Sequence, residues 1–297
     1  MSIRTLLLLI VAVPALLLGG AFVLGLKIPV PQWGRDYVLS FLVNQDVPDF
    51  QLPEVEGPSD PSRPLVVIDA GHGGRDYGAV GDNLREKDVV LSIASIVRDI
   101  LLDAGGIRVA MTRDGDDLVP LEYRPEIARE LGADLFISIH ADSAGTYSDV
   151  SGASIYTLSS EASSEAAARF ASRENDADRV NGITIEGQSE EVSAILVELS
   201  QARTQEEAAE FASLIAREGE GEIAFHPSAR RSAALIVLQA PDVPSVLFES
   251  GFVSNDTDRA RLSTDEGQRQ YAEVLAQAIR VYFARRTEPR ASEGAGQ

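Results

Sequence analysis

Three short apolar runs in this sequence each end in a residue that can bind a metal or move a proton. The runs are Leu65–His72, Asp134–His140 and Ser245–Glu249. Runs this short, rich in β-branched residues, indicate buried strands of a parallel sheet. Ligands and catalytic groups of such sheets gather at the carboxyl ends of the strands. We therefore predict a metal site with a base beside it, formed by the two histidines and the glutamate.

Each of these residues also has an ordinary structural explanation. His72 lies in a glycine-rich turn, and His140 follows a strand, where a hydrogen-bonded imidazole is common. Glu249 is harder to explain in this way, because a carboxylate beside a buried strand is costly unless it is paired or functional. The third histidine, His226, precedes Pro227 in a polar stretch, and we expect it at the surface or in a loop.

Four acidic residues flank the histidines. Glu86 opens a predicted helix, where the macrodipole favours a glutamate whatever its function. Asp69, Asp76 and Asp142 could serve as hydrogen-bond partners that orient an imidazole. Because the chain contains no cysteine, a metal would depend on His, Asp and Glu ligands, which suits a catalytic zinc site.

The alternation of apolar runs with helical periods predicts an α/β fold. We expect a single domain with about six strands in a mainly parallel, twisted sheet, flanked by helices. The predicted strands are Leu65–Asp69, Ile107–Thr112, Leu135–Ile139, Gly152–Leu158, Ala234–Leu238 and Ser245–Phe248. The predicted helices are Lys87–Leu102, Glu122–Leu131 and a last helix that begins at a Ser263–Glu266 capping box and ends near Ala284.

A long segment between the fourth and fifth predicted strands carries no strand signal. It contains three predicted helices: Ser163–Asp178, Glu190–Ser200, and a third from Thr204 to near Gly219. We interpret residues 160–220 as a helical insertion at the rim of the predicted site.

The two ends of the chain lie outside the predicted folded domain, residues 64–284. Residues 5–26 carry no charge and could span the roughly 30 Å of a bilayer's hydrocarbon. We expect residues 1–27 to be a cleaved signal peptide or a retained membrane anchor, with the remainder exported. Residues 28–63 are proline-rich and acidic, which indicates a linker, and residues 285–297 have the composition of a disordered tail.

The charge limits the partners of the protein. A formal net charge of -20 argues against nucleic acid or anionic lipid as the main partner, because both require a basic surface. Contact with a membrane is therefore expected only through residues 5–26. The absence of cysteine also excludes a disulfide framework.

Five blocks of the sequence resemble, in order, the motifs of the zinc-dependent N-acetylmuramoyl-L-alanine amidases. The resemblance covers the folded part of the chain, from about Pro64 to Phe283. Ala70 and Tyr77 stand where the family commonly has proline, and both are turn positions. The five blocks are Asp69–Ala79, Arg85–Asp88, Thr112–Asp114, Ser138–Ser143 and Val246–Asn255.

The resemblance implies a substrate and a set of roles. The substrate would be peptidoglycan, and the bond cut would be the amide between N-acetylmuramic acid and L-alanine of the stem peptide. The zinc ligands would be His72, Glu86 and His140. Glu249 would be the general base that acts on zinc-activated water, and the expected location is the periplasm.

The insertion is similar to that of the Gram-negative cell-division amidases. In those enzymes a glutamate from the insertion occupies the open coordination position of zinc until an activator protein binds the insertion. Ser172–Asp178 resembles that region, so Glu174 is the candidate inhibitory residue. Val192–Leu199 is the candidate docking helix for an activator during cell separation.

Two other functions stay open from the sequence. A zinc deacetylase or carboxypeptidase acting on the cell wall would use a similar metal site with other substrate-binding groups. A non-enzymatic wall-binding protein at the division site would keep the fold with a degenerate site. The complete set of His72, Glu86, His140 and Glu249 argues against the second of these.

Overall fold

The computed structural model describes residues 52–82, 84–145, 147–180 and 194–287. The predicted segment 1–27, most of the predicted linker and residues 288–297 lie outside these ranges. Within the described part of the chain, no helix has both the length and the apolar character needed to cross a membrane.

One six-stranded sheet organises the fold. Its strands are β1 Leu65–Ala70, β4 Arg108–Met111, β5 Leu135–Asp142, β6 Ala153–Leu158, β7 Phe225–Ala233 and β8 Ser245–Phe252, with a small separate hairpin of β2 Val80–Gly81 and β3 Leu84–Arg85. The strand order is β4-β1-β5-β8-β6-β7. The strands β4, β1, β5 and β8 are parallel to one another, whereas β6 is antiparallel to β8 and parallel to β7. This confirms the predicted mainly parallel sheet.

Helices cover the sheet, which confirms the predicted α/β class. Those of the described ranges are α1 Glu86–Ala104, α2 Tyr123–Glu130, α3 Glu165–Val180, α4 Ala194–Glu218, α5 Asp256–Leu262 and α6 Asp265–Thr287. The predicted Ser263–Glu266 capping box is wrong, because the hydroxyl of Thr264 accepts the hydrogen bond from the backbone N–H of Gly267 instead.

The two faces of the sheet differ in character. Alternate strand residues such as Ile137 and Val246 join α1, α4 and α6 in the main hydrophobic core. The residues between them point to the opposite face, which carries His140 and Glu249. Register places these two side by side on neighbouring strands, with Ser154 on the other side of Glu249.

The fifth predicted strand, Ala234–Leu238, is wrong. The strand in this region is β7, which ends at Ala233, and Ile236–Leu238 forms a turn of 3₁₀ helix. An edge strand has one unpaired side and tolerates proline and polar residues, so β7 lacks the apolar run that the prediction relied on. His226 accordingly lies half-buried in this edge strand, so of the two expected positions, surface or loop, the loop is wrong.

The third predicted helix of the insertion is part of a longer one. Helix α4 runs without a break through the predicted gap between Ser200 and Thr204, while residues 190–193 lie outside the described ranges. Phe211 and Ile215 of α4 are fully buried in the main core. The later half of residues 160–220 is therefore part of the domain's packing, and a movable element could comprise only what precedes it.

The end of the predicted linker is also ordered. Glu56 forms a two-way backbone hydrogen-bonded bridge with Val109 of the edge strand β4. The side chain of Arg108 donates to the carbonyl oxygens of Pro61 and Arg63. These contacts cover an otherwise unpaired strand edge, which is a liability for aggregation.

Candidate active site

His72 stands at the turn after β1 in an uncommon backbone conformation. Its φ is 58°, and the following Gly73 and Gly74 have φ of 130° and 58°. A positive φ is strained for a residue with a side chain and persists only where its surroundings impose it. The turn aims the imidazole over the end of the sheet, and its Nδ1 lies 2.8 Å from Asp76 Oδ2.

Glu86 is the first residue of α1, but its carboxylate faces the sheet and not the solvent. Oε2 accepts a hydrogen bond from the backbone N–H of Ala79 at 2.7 Å, and Oε1 accepts one from that of Ala141 at 2.9 Å. Oε1 also lies 3.2 Å from His72 Nε2 and 3.0 Å from His140 Nδ1.

Glu174 of α3 approaches the same two imidazoles. Its Oε2 lies 3.7 Å from His72 Nε2 and 3.5 Å from His140 Nδ1. His72, His140 and Glu174 each offer a ligand atom within 4.8 Å of the others, an arrangement that could hold a metal ion. With Glu86, two nitrogens and two carboxylate oxygens converge on one point.

These spacings fit zinc. Tetrahedral zinc with bonds of about 2.0–2.1 Å places its ligand atoms roughly 3.3–3.4 Å apart, and the four nitrogen–oxygen distances above are between 3.0 and 3.7 Å. His72 Nε2 is buried and makes no hydrogen bond to any described residue. Because buried polar atoms are rarely left unpaired, this nitrogen fits a ligand that the polypeptide does not itself supply.

The electrostatics of the site also favour a cation. Burial alone would lower the pKa of His72, but the charge of Glu86 and the hydrogen bond to Asp76 raise that pKa well above its usual value. Burial raises the pKa of the Glu174 carboxyl, against the opposing effect of the two imidazoles. The site thus stabilises positive charge between the histidines and accumulates acidic groups around it.

Glu249 is the most isolated carboxylate of the site. It is 1 % exposed, and neither of its oxygens has hydrogen-bond geometry with a described residue. Burial, followed by the charges of Asp142 and Glu86, raises its pKa well above the usual range. A raised pKa makes a carboxylate a stronger base, which is the property that a proton-transfer group requires.

Helix α3 closes the site through three contacts besides Glu174. Phe170 stacks on Tyr156, with ring centroids 4.5 Å apart, and Arg173 lies 2.5 Å from Asp142. Asn175 donates from Nδ2 to the carbonyl oxygen of Ala234 at 2.7 Å and accepts at Oδ1 from the backbone N–H of Ile236 at 2.9 Å. Beside these contacts a cleft of about 440 Å³ leads to His72, Glu86 and Glu174.

Of the three aspartates predicted to orient an imidazole by a hydrogen bond, only one does so. Asp76 contacts His72 as expected. Asp69 does not contact an imidazole; its carboxylate accepts from Thr112, Arg124 and Ser138. Asp142 is paired with Arg173.

His226 lies away from the predicted metal ligands. Its Nδ1 accepts from the backbone N–H of Ser228 at 2.9 Å and lies 2.8 Å from Arg231 Nη2. Burial and the charge of Arg231 lower its pKa.

Sequence reasoning missed the residues that fasten α3. Arg173 and Asn175 flank the predicted Glu174, but their partners are distant in sequence, and no local pattern identifies such pairs. The same holds for the buried Arg113, which lies in a quoted motif without an assigned role.

Comparisons with known proteins agree with this geometry. Residues 66–281 match a family model described as N-acetylmuramoyl-L-alanine amidase. Over 245 residues, 82% of the chain, it is 36% identical to the amidase AmiC of Escherichia coli O6:H1, of which it spans 58%. It is 40% identical to AmiA of Escherichia coli K12 over 221 residues, 74% of the chain and 76% of that relative.

A solved structure shows the same fold. The amidase AmiC2 of Nostoc punctiforme matches 75% of the chain and 98% of its own length, with 30% identity and a TM-score of 0.54.

Proposed function

The chain belongs to the N-acetylmuramoyl-L-alanine amidase family, and on that premise we propose that it hydrolyses the amide between N-acetylmuramic acid and L-alanine of the stem peptide in peptidoglycan. The observation that carries the proposal is one cluster: two imidazole nitrogens and Glu86 converge on a point, while the unpaired, buried Glu249 lies beside His140. This is the donor set of a catalytic metal site with a base.

We propose His72, Glu86 and His140 as the ligands of a zinc ion. Zinc bound there would supply a Lewis acid and lower the pKa of a water molecule from about 16 toward roughly 7. The protein contributes by fixing its ligands: Ala79 and Ala141 orient the Glu86 carboxylate, and Asp76 orients the His72 ring. Such outer partners set the tautomer and direction of an imidazole ligand.

Glu249 is the proposed general base. It takes a proton from the attacking water and returns it to the leaving amine of L-alanine. Its position opposite His140 in the register of β5 and β8 supports this role. The absence of competing hydrogen bonds from described residues leaves its oxygens free to receive that proton.

Glu174 is the proposed inhibitory residue. Its Oε2 lies within 3.7 Å of both imidazole nitrogens, so with zinc bound it would compete for the position that a catalytic site keeps open for water. Because the later half of α4 is buried in the core, we assign the movable part of the described insertion to α3. An activator that docks on Val192–Leu199, whose side chains lie outside the described set, would displace it.

The proposed location follows from the substrate. Peptidoglycan lies outside the cytoplasmic membrane, so we propose that residues 1–27 direct export to the periplasm as a cleaved signal or an anchor. Action during cell separation is proposed on the similarity to the Escherichia coli amidases.

The test replaces Glu249 with Gln, which keeps the side chain's shape and removes the base. Release of stem peptides from purified peptidoglycan should fall by about 10²–10⁴-fold, the usual contribution of a positioned base. Glu273→Gln, at an exposed position of α6, is the matched control and should keep full activity.

Mass spectrometry of the products separates the alternatives. Free L-alanyl stem peptides support the amidase. Loss of acetyl groups or of a terminal amino acid from the wild-type digest would indicate a deacetylase or carboxypeptidase, and full activity in Glu249→Gln would refute the base assignment.

A further inference from the structure

Two buried guanidinium groups hold the strained turn that carries His72. Arg113 follows β4 and Arg124 lies in α2, and each residue is 4 % exposed. Arg124 donates to the carbonyl oxygens of Ala70 at 2.9 Å and His72 at 2.8 Å. Its charge is balanced by Asp69 at 2.7 Å, so an ordinary buried ion pair explains much of its presence.

Arg113 makes a different set of contacts. Its Nε donates to Ala70 O at 2.9 Å, and its Nη1 donates to Gly115 O at 2.9 Å. Its Nη2 is shared between Gly71 O at 2.8 Å and Lys87 O at 2.9 Å. Gly71 directly precedes the ligand on the β1 turn, and Lys87 directly follows the ligand on α1. One nitrogen therefore joins the backbones of two proposed metal ligands.

Gly71 extends this link to the third ligand. Its N–H donates to the carbonyl oxygen of Ile139 at 3.0 Å, next to His140. Its Cα packs so closely on the His140 imidazole that a Cβ at this position would overlap the ring. Arg113 fixes the position of Gly71 by donating to its carbonyl oxygen. The position of Gly71 in turn limits where the His140 ring can lie.

Stability alone gives a poor account of Arg113. Within the described residues its hydrogen bonds all end on backbone carbonyl oxygens. A buried charge without a bonded partner of opposite charge is costly. Burial and the neighbouring charge of Arg124 lower the pKa of Arg113, so the two like charges oppose each other. The contacts of Arg113 depend on the guanidinium group, whose N–H donors point in several fixed directions within one plane.

We propose that Arg113 is a positioning residue of the metal site. By sharing Nη2 between Gly71 and Lys87 it sets the separation of His72 from Glu86, and through Gly71 it sets the position of His140. The inference rests on the proposed zinc site and assigns to it a determinant outside the ligand set. Arg113 touches neither substrate nor metal and acts through the backbone of its neighbours.

The test measures zinc affinity, not turnover, in the full chain. An ammonium group has three donors and cannot reach four carbonyl oxygens in the directions of a guanidinium, so Arg113→Lys should keep the fold and bind zinc less tightly. We expect a loss of about 10–100-fold, as is usual for residues that orient metal ligands. Competition with a chelating dye measures the affinity, and circular dichroism checks the fold.

Arg129→Lys is the matched control. Arg129 is a largely buried arginine of α2 paired with Glu126 and Asp242, and these contacts do not involve the ligand turn. The control should lose some thermal stability and bind zinc as the wild type does. An unchanged zinc affinity in folded Arg113→Lys would overturn the positioning role, whereas a wild type that binds no zinc would refute the proposed metal site itself.

A second variant covers the case in which Arg113→Lys does not fold. Arg113→Gln keeps two donors and removes the buried charge. If it folds with weakened zinc affinity, the positioning role is supported. If it binds zinc as tightly as the wild type, or if neither variant folds even with saturating zinc, Arg113 is a purely structural residue and the proposal is wrong.

Discussion

Two glutamates reach the same pair of imidazole nitrogens from opposite faces of the sheet, and their helices are held very differently. Glu86 begins α1, whose inner side packs in the main core with Val90, Ile93 and Val97 fully buried. Its carboxylate accepts two backbone hydrogen bonds. Nothing short of unfolding would withdraw it from the site.

Glu174 has no comparable support. Among the described residues, no backbone N–H donates to its carboxylate. Its helix α3 contacts the fold at three places. Phe170 stacks on Tyr156 of β6, Arg173 pairs with Asp142 of β5, and Asn175 bonds to the backbone that follows the edge strand β7. After α3, the next described residues that belong to the main core lie in the later half of α4.

The difference teaches how one site can have a permanent and a removable ligand of the same chemical type. The distances from the two glutamates to the imidazoles differ by only about half an ångström. The packing of the helix that carries each glutamate therefore decides which ligand is permanent and which is removable. Opening α3 would expose the apolar surface around Phe170 and break one ion pair and two side-chain hydrogen bonds. Moving α1 would expose a face that packs in the main core, at about 25 cal/mol per Å² of apolar surface. The same substitution, glutamate to glutamine, made at each of the two positions tests whether the two glutamates differ in this way.

Of the two glutamates, the larger effect is expected at Glu86. Glu86→Gln removes a charged ligand from the rigid side of the site, and even outer partners of a metal site contribute about 10–100-fold to affinity or activity. We expect zinc affinity and stem-peptide release both to fall by at least about 100-fold, with the fold retained. A Glu86→Gln protein with wild-type zinc affinity would show that Glu86 is not a ligand.

The same substitution at Glu174 should act in the opposite direction. Glu174→Gln weakens the closed state alone, so basal amidase activity without an activator should rise by about tenfold or more, which corresponds to roughly 1.4 kcal/mol. Glu165→Gln, on the same helix with a side chain 93% exposed, is the control and should leave basal activity unchanged. An unchanged or lower rate in Glu174→Gln would remove the inhibitory role.

The contrast between the two sides also explains what could be predicted from the sequence. The apolar strand patterns locate His72, His140 and Glu249, because each follows or lies within a predicted strand. Since the carboxyl ends of parallel strands share one edge of the sheet, the sequence alone places these residues together. Glu86 has no such signal, because a glutamate at a helix start is common whatever its task. Only the family motif identified it, and Glu174 likewise.

The rest depended on contacts between distant parts of the chain. The edge strand β7 carries polar residues and a proline, so its sequence lacks the period that the other strands show. Asn175 is bound to residues near 235, and the guanidinium of Arg113 joins the turn after β1, the first turn of α1 and the loop after β4. Local secondary-structure propensities contain no information about contacts between residues that are distant in the sequence.

The smallest effect tests the fastening of α3. Asn175→Ala removes two hydrogen bonds to the backbone at Ala234 and Ile236. Opening returns these groups to water, so the net loss is about 1 kcal/mol, or roughly fivefold in the balance between closed and open forms. Basal activity should rise by that factor.

Amide hydrogen exchange shows where this change occurs. In Asn175→Ala, exchange should quicken within α3 and stay at the wild-type rate within α1, because local opening and global unfolding are separate events. Equal acceleration in both helices would mean that Asn175 stabilises the whole domain. In that case α3 would be as firmly built into the fold as α1, and the distinction between a permanent and a removable glutamate would fail.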